Sequence, residues 1–230
     1  MEQPIIDVII PAYNEEQSIG HVLRDIPSGL VRDIIVCDNN STDQTASVAQ
    51  SAGATVVHQI RKGYGSACLK GMAHIAEKAE APDIIVFLDG DYSDYPDQMP
   101  LILEPILHQG KSMVIGSRAL GKSESGSMTI PQIFGNWLAT SLIRVIYGYR
   151  FTDLGPFRAI TYPALLSLNM EDPDFGWTVE MQVKAAKKGL ACAEVPVDYK
   201  RRIGVSKVSG TIKGTIMAGY KILWTIFKLL

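Results

Sequence analysis

Ile84-Ile85-Val86-Phe87-Leu88-Asp89-Gly90-Asp91 is the stretch whose reading decides the fold. Five apolar residues without alternation read as a strand buried on both faces, as in parallel sheets. The carboxylates that follow then stand at the carboxyl end of that strand, the edge where open α/β sheets bind ligands. Asp89 and Asp91, with only Gly90 between them, can share a hard divalent cation, and such a cation commonly bridges phosphate oxygens. Standing alone, the same residues would read as an acidic turn after a strand.

Outward from this strand the pattern repeats. Residues Ile5 to Ile10 form an apolar strand stopped by Pro11. Glu15 to Ile26 follows with helical spacing at Ile19, Val22, Leu23 and Ile26, its acids placed in the first turn where they suit the helix dipole. Asp33 to Val36 is a second strand, and Ser41, Thr42 and Asp43 offer caps for a helix reaching Ala52. Thr55 to His58 is a third, weaker strand, and Gly63, Gly65 and Gly71 open a third helix. Met113 to Ile115 is a fifth strand. Gly121 to Ser127, rich in Gly and Ser, reads as a mobile loop. Helices are expected over Pro131 to Tyr147 and Val179 to Lys188, with a strand over Ala191 to Tyr199. The alternation predicts an α/β fold with a doubly wound, mostly parallel sheet and flanking helices. Residues 1–210 form that domain, and 211–230 a C-terminal amphipathic helix.

Composition narrows the function. The 230 residues carry a net charge of -2, which argues against a nucleic-acid binder, whose domains usually show a basic excess. Cys37, Cys68 and Cys192 lie far apart without metal-ligand spacing and read as buried or neutral thiols in a reducing compartment. Glu2 and Asp7 interrupt the N-terminus, so no signal peptide is expected and a cytoplasmic protein is. Lys213, Lys221 and Lys228 interrupt the tail, which makes it a poor spanning helix. At roughly 100° per residue they fall within an arc of about 80°. That suits a helix lying peripherally in a membrane interface with its lysines toward head groups. The alternatives are a helix packed on the domain or one half of a homo-oligomer interface.

Four segments gather at predicted strand ends: Pro11-Ala12-Tyr13-Asn14-Glu15-Glu16, Cys37 to Asp43, Leu88 to Asp94, and Gly116-Ser117-Arg118. In a doubly wound sheet these ends share one edge. Together they offer what a nucleotide needs: a ring surface (Tyr13), acceptors for base and ribose (Asp38, Glu15) and a metal seat (Asp89, Asp91). Arg118, directly after the fifth strand, could face a donor diphosphate or an acceptor phosphate.

With Gly63-x-Gly65 and Thr152-Asp153-Leu154-Gly155-Pro156-Phe157-Arg158 added, this ordered series resembles the GT-A glycosyltransferases of family 2. The similarity is greatest to the dolichol- and polyprenyl-phosphate mannosyl- or glucosyltransferases and extends from about Ile5 to Gly210. The resemblance implies a nucleotide-sugar donor, GDP-mannose or UDP-glucose. It also implies Mg²⁺ or Mn²⁺ held by Asp89 and Asp91, and transfer of the hexose with inversion to a polyprenyl phosphate. By motif it puts Pro11, Tyr13, Glu15 and Asp38 at the nucleoside, Asp89 and Asp91 at metal and at ribose or phosphate, and Lys62 and Gly90 among the donor-binding residues. Arg201-Arg202-Ile203-Gly204-Val205-Ser206-Lys207 matches the family's R-x-x-G-x-S-K, placing Arg201, Ser206 and Lys207 at the diphosphate. A guanidinium fork suits such oxygens.

A phosphate acceptor is already anionic near neutral pH, so a strong general base is not required. If one acts, Asp153 is the first candidate and Glu180 the second, with a structural turn as the plain alternative for Asp153. Asn39 stands where the family often has a second Asp, the usual Asn before the glycine turn is replaced near Arg61, and Gly155-Pro156-Phe157-Arg158 replaces Ser-Gly-Phe-Arg. The competing readings are the same donor chemistry with a soluble or saccharide acceptor, and a nucleotidyltransferase. Against the latter, Pro11 to Gln17 lacks a glycine-rich basic loop.

Overall fold

A computed structural model describes residues 3–204 and 212–230. The elements run β1 (Ile6–Ala12), α1 (Ile19–Asp25), β2 (Asp33–Asp38), α2 (Thr45–Ser51), β3 (Thr55–His58), α3 (Tyr64–Ala76), β4 (Ile84–Phe87), α4 (Met99–Gln109) and β5 (Met113–Ser117). They continue α5 (Ile130–Tyr147), β6 (Arg158–Thr161), α6 (Tyr162–Leu168), α7 (Trp177–Lys187), β7 (Cys192–Pro196) and α8 (Ile212–Lys228). One sheet holds all seven strands in the order β3-β2-β1-β4-β6-β5-β7.

β4 is buried throughout, as its unbroken apolar run requires. Ile85 and Phe87 join the core on one face of the sheet, and Ile84, Val86 and Leu88 the core on the other. Burial of such a side chain contributes about 1.5–3 kcal/mol, so this strand anchors both layers at once. Parallel pairing joins β1 to β2 and β4, β2 to β3, and β5 to β7.

Two local differences from the sequence expectation bear on the site. Helix α1 begins at Ile19 and carries no acid in its first turn. Glu15 and Glu16 are spent on loop contacts instead: the Glu15 amide donates to Thr45 Oγ1 at 2.7 Å, and Glu16 accepts from the Gln44 amide at 2.9 Å. The second difference is β6, a strand of four residues headed by a charge, Arg158, and absent from the sequence expectation. It runs antiparallel between β4 and β5. Arg158 is fully buried, its guanidinium donating to the carbonyls of Leu154, Gly155 and Thr178. Burial lowers its pKa to about 10, with the Tyr64 hydroxyl and the Asp153 carboxylate acting the other way.

The segment 121–127 is not the free loop its composition suggests. Lys122 and Glu124 pair with Tyr199 through main-chain hydrogen bonds, and the Lys122 amide donates to Asp198 at 3.0 Å. Helix α8 packs one face on the body, with Ile226 fully buried. Lys221 does not join a head-group-facing arc: it turns inward and pairs with Asp172 at 3.1 Å. The outer face of α8 is apolar, with Ile216, Met217, Tyr220, Trp224 and Phe227 exposed. Among the described residues no helix is long and apolar enough to cross a membrane.

Candidate active site

The loops after β1 and β2 are zipped together before they meet any ligand. Asn14, in a left-handed conformation, donates its amide to Ser41 Oγ and accepts from the Thr42 amide at 2.8 Å. Asp43 accepts from the amides of Thr45 and Glu16. The result is a rigid shelf, on which Lys62 donates to the Tyr13 hydroxyl at 2.7 Å and lies 4.4 Å from its ring centre. Asn39 is fully engaged in holding the next loop: its Nδ2 donates to Gln59 and Arg61 carbonyls, and its Oδ1 accepts from the Gly63 amide at 2.8 Å. The Asp-to-Asn departure therefore serves a loop here.

The glycine turn at the start of α3 is dictated by close backbone approach. A Cβ on Gly65 would stand 1.9 Å from the Asp172 carbonyl oxygen, and one on Gly63, at φ +143, 2.2 Å from that of Pro173. The first amides of α3 are thereby satisfied, Ser66 donating to Pro173 at 2.8 Å and Gly65 to Asp174 at 3.3 Å.

Between these loops and β4 lies a cleft of about 430 Å³. Pro11, Tyr13, Glu15, Lys62, Asp89, Gly90 and Asp91 all line it, which joins most of the residues singled out from sequence. Asp38 stands behind the lining, buried, with Oδ2 3.1 Å from His58 Nδ1. Asp91 is buried and accepts from the Ser93 amide at 2.9 Å. Asp89 accepts from the Tyr64 hydroxyl at 3.0 Å. Burial and the neighbouring Asp91 charge raise the Asp89 pKa to about 7, even with the charges of Arg202 and Arg118 acting the other way. The cleft thus concentrates more negative charge than its own cations balance, and that is the condition a divalent cation relieves. Among the described residues no set of three acidic, His or Cys side chains surrounds a metal position, so the donors on offer are this pair.

Asp94, which the sequence reading passed over, is 2% exposed, and neither carboxyl oxygen has a hydrogen-bond partner. Burial first, and then the charge of Asp89, push its pKa well above the carboxylate range. A raised pKa in the fold means stability is held at low pH and lost as pH rises above the ordinary carboxylate range. Asp94→Asn is expected to raise Tm at pH 7.5 by about 2–4 °C per kcal/mol recovered, with the gain vanishing near pH 4. Melts of both proteins across that range check it.

Arg118 and Asp153 are not among the residues lining the cleft; they form one unit near enough for the Arg118 charge to act on Asp89. Arg118 donates from Nε and Nη2 to the two Asp153 oxygens at 2.8 and 2.7 Å, and its amide also reaches Oδ2 at 2.8 Å. Burial disfavours the Arg118 charge, but the Asp153 carboxylate outweighs it and the pKa rises. The loop carrying Asp153 is fixed from three elements. Glu194 accepts from the Thr152 and Asp153 amides, Gln182 donates to the Asp153 carbonyl, and Asn136 accepts from the Leu154 amide at 2.8 Å. Both Asp153 oxygens are taken, so it does not stand free as a base. Glu180 is committed as well, to the Glu171 and Asp172 amides and to Lys184.

The basic segment parts its two arginines. The Arg201 guanidinium donates to the Ser125 carbonyl at 2.6 and 2.8 Å, away from the cleft. Arg202 faces the site instead, 2.8 Å from Glu15 Oε1 and 3.2 Å from Asp91 Oδ2, with Nε buried and unpartnered. The adjacent Lys200 is held between Tyr92 and Tyr95, at 3.2 and 4.3 Å from their ring centres. Main-chain hydrogen bonds from the Lys200 amide to Ser93 and from the Ile203 amide to Asp91 hold the segment beside the β4 loop. Ser206 and Lys207 lie outside the described residues.

The profile of Glycosyl transferase family 2 matches residues 7–165. The chain belongs to this family. It is a glycosyltransferase with the GT-A fold, and nucleotidyl transfer is set aside. An uncharacterised glycosyltransferase of Mycobacterium tuberculosis is 36% identical over 217 residues, covering 93% of this chain and 94% of its own. The undecaprenyl-phosphate mannosyltransferase of Micrococcus luteus is 30% identical over 221 residues, covering 90% and 88%. Among solved structures, glucosyl-3-phosphoglycerate synthase of M. tuberculosis with UDP is 26% identical with a TM-score of 0.77, over 98% of this chain and 80% of that one. The same synthase has been solved with Mn²⁺, UDP-glucose and phosphoglyceric acid. The family 2 match ends at residue 165, so Arg202, Glu194 and the 171–176 loop, which complete the site, lie beyond it.

Proposed function

We propose that this family 2 enzyme transfers a hexose from a nucleotide sugar to the phosphate of a polyprenyl phosphate. The observation that carries the acceptor is the junction at Asn136. Its side chain donates to the Thr152 carbonyl at 3.0 Å and accepts from the Leu154 amide, so α5 is fastened directly to the loop that holds Arg118. On the same stretch of α5, Ile133, Phe134 and Trp137 are exposed, at 52, 58 and 60%. A fixed guanidinium beside an unpartnered apolar helix face matches a molecule that is a phosphate at one end and an isoprenoid chain at the other.

On the donor side, Tyr13 and Lys62 face the nucleoside and Glu15 the ribose. Asp89 and Asp91 hold Mg²⁺ or Mn²⁺, which when bound neutralises charge on the leaving diphosphate. Arg202, at present bridging Glu15 and Asp91, exchanges these carboxylates for diphosphate oxygens. Arg118 holds the acceptor phosphate, and Asp153 fixes the plane and reach of that guanidinium. The acceptor is anionic already, which suits a site where the two candidate bases, Asp153 and Glu180, are engaged in holding other groups.

The deciding assay supplies labelled UDP-glucose or GDP-mannose and Mn²⁺ with either undecaprenyl phosphate in detergent or 3-phosphoglycerate. Label is expected in the organic phase. Label confined to a water-soluble product would establish instead the soluble-acceptor reading, which the solved neighbour favours. The two arginines separate in binding: Arg202→Ala should weaken UDP or GDP by about tenfold or more relative to uridine or guanosine, and Arg201→Ala should leave both nearly unchanged. Calorimetry giving equal losses for the two variants would count against the placement of Arg202.

A further inference from the structure

One wall of the cleft has no role in the reading above. Asp174 and Phe175 line the same cavity as Asp89, Asp91 and Tyr64. Their loop is held almost entirely by its main chain. Glu180 accepts from the Glu171 and Asp172 amides, Asp172 Oδ1 from the Asp174 amide at 2.8 Å, and the Asp174 carbonyl from the amides of Gly65 and Trp177. Lys221 of α8 pins Asp172 from behind, and α8 also brings Thr225 Oγ1 within 2.3 Å of where a Cβ on Gly176 would stand. By contrast, the Asp174 carboxylate makes no hydrogen bond or ion pair among the described residues, and Phe175 is half-buried. A loop locked through its backbone, with two side chains left uncommitted at the edge of a cleft, is preorganised to present them to a ligand.

We propose that Asp174 and Phe175 form the subsite that recognises the hexose of the donor. Asp174 accepts hydrogen bonds from ring hydroxyls, and Phe175 lies against an apolar C–H face of the sugar. The inference rests on the proposed function: a hexose leaving a diphosphate at Asp89 and Asp91 for a phosphate at Arg118 must occupy this cleft. Its surface alternates hydroxyl groups with patches of C–H, and a carboxylate beside an aromatic ring answers both. A site built to pair with a hydroxyl discriminates strongly against a sugar that lacks it or points it elsewhere.

The test compares the parent enzyme with Asp174→Asn, Asp174→Ala and Phe175→Leu. Calorimetry with UDP and GDP in Mn²⁺ reads the nucleotide half, and kinetics with UDP-glucose, its C4 epimer UDP-galactose, and GDP-mannose read the sugar half. Asp174→Ala should lose about 10- to 100-fold in kcat/KM for the preferred donor, and Asp174→Asn less. The preference between the two UDP-hexoses should shrink, with nucleoside diphosphate affinity held within about twofold. Parallel losses of diphosphate and sugar, or an undiminished epimer preference, would overturn the subsite. A parent enzyme that binds neither UDP nor GDP would instead overturn the donor reading beneath it.

Discussion

Asp91→Asn is expected to reduce sugar transfer by about 10²–10³, the loss typical of removing one preorganised electrostatic contact, without unfolding the protein. The substitution conserves volume at a buried position. An Asn oxygen can still accept from the Ser93 amide, as Asp91 Oδ1 does now at 2.9 Å, so the turn keeps its main anchor. The charge is what goes. Asp91 is one of two carboxylates available to a cation, and its Oδ2 also faces Arg202 at 3.2 Å. Removing it weakens the clamp on the leaving diphosphate and frees Arg202 to remain on Glu15. The check is transfer activity across a Mn²⁺ titration beside a thermal melt. Full activity of the variant in EDTA-treated buffer would end the metal role for this pair.

Arg118→Lys should cost about 30-fold or more in kcat/KM for the polyprenyl phosphate, the scale of cutting one partner from a buried charged pair, while the donor KM barely moves. Lysine keeps the charge and loses the planar fork. Two of the guanidinium's donors are already spent on Asp153, and an ammonium, whose three donors radiate from one atom, cannot keep that two-point pairing while aiming a donor at phosphate from the same reach. Asp153→Ala should fail differently, destabilising the protein by about 3–5 kcal/mol because a buried guanidinium is left unpaired. Steady-state kinetics with each substrate varied, beside denaturant melts, separate the two outcomes. A donor KM that rises as much as the acceptor KM would place Arg118 on the donor side.

The cleft that joins Pro11 to Glu15 with Asp89 and Asp91 was legible in sequence because strand ends in a parallel sheet converge by topology alone. Ile84 to Leu88, the Pro11 and Asp38 segments and the glycine turn could be assigned to one edge without knowing any side-chain contact. What could not be read was commitment. Asp153 and Glu180 have the right chemistry for a base, and only the fold reveals that each is already holding other groups. Arg201 and Arg202 are adjacent and alike, and only their partners in the fold tell them apart: the Ser125 carbonyl for one, Glu15 and Asp91 for the other. Asp174 and Phe175 carried no motif; their only sequence signal was a pair of glycines more than a hundred residues earlier, whose missing side chains make room for that loop. Strand β6 was hidden by its length and by a leading arginine, which composition assigns to the surface.

That strand has a consequence for how the chain is made. β1 to β4 are contiguous in the sheet and in sequence, but the next position beside β4 is filled by residues 158–161, and β5 reaches the sheet only through them. During synthesis, the apolar edge of β4 therefore stays open while about seventy further residues emerge, at some seconds for typical elongation rates. An open edge of this kind is a template for mispairing between nascent chains. The half that carries Asp89 and Asp91 can condense early, and the half that carries Arg118 waits for a four-residue strand to arrive.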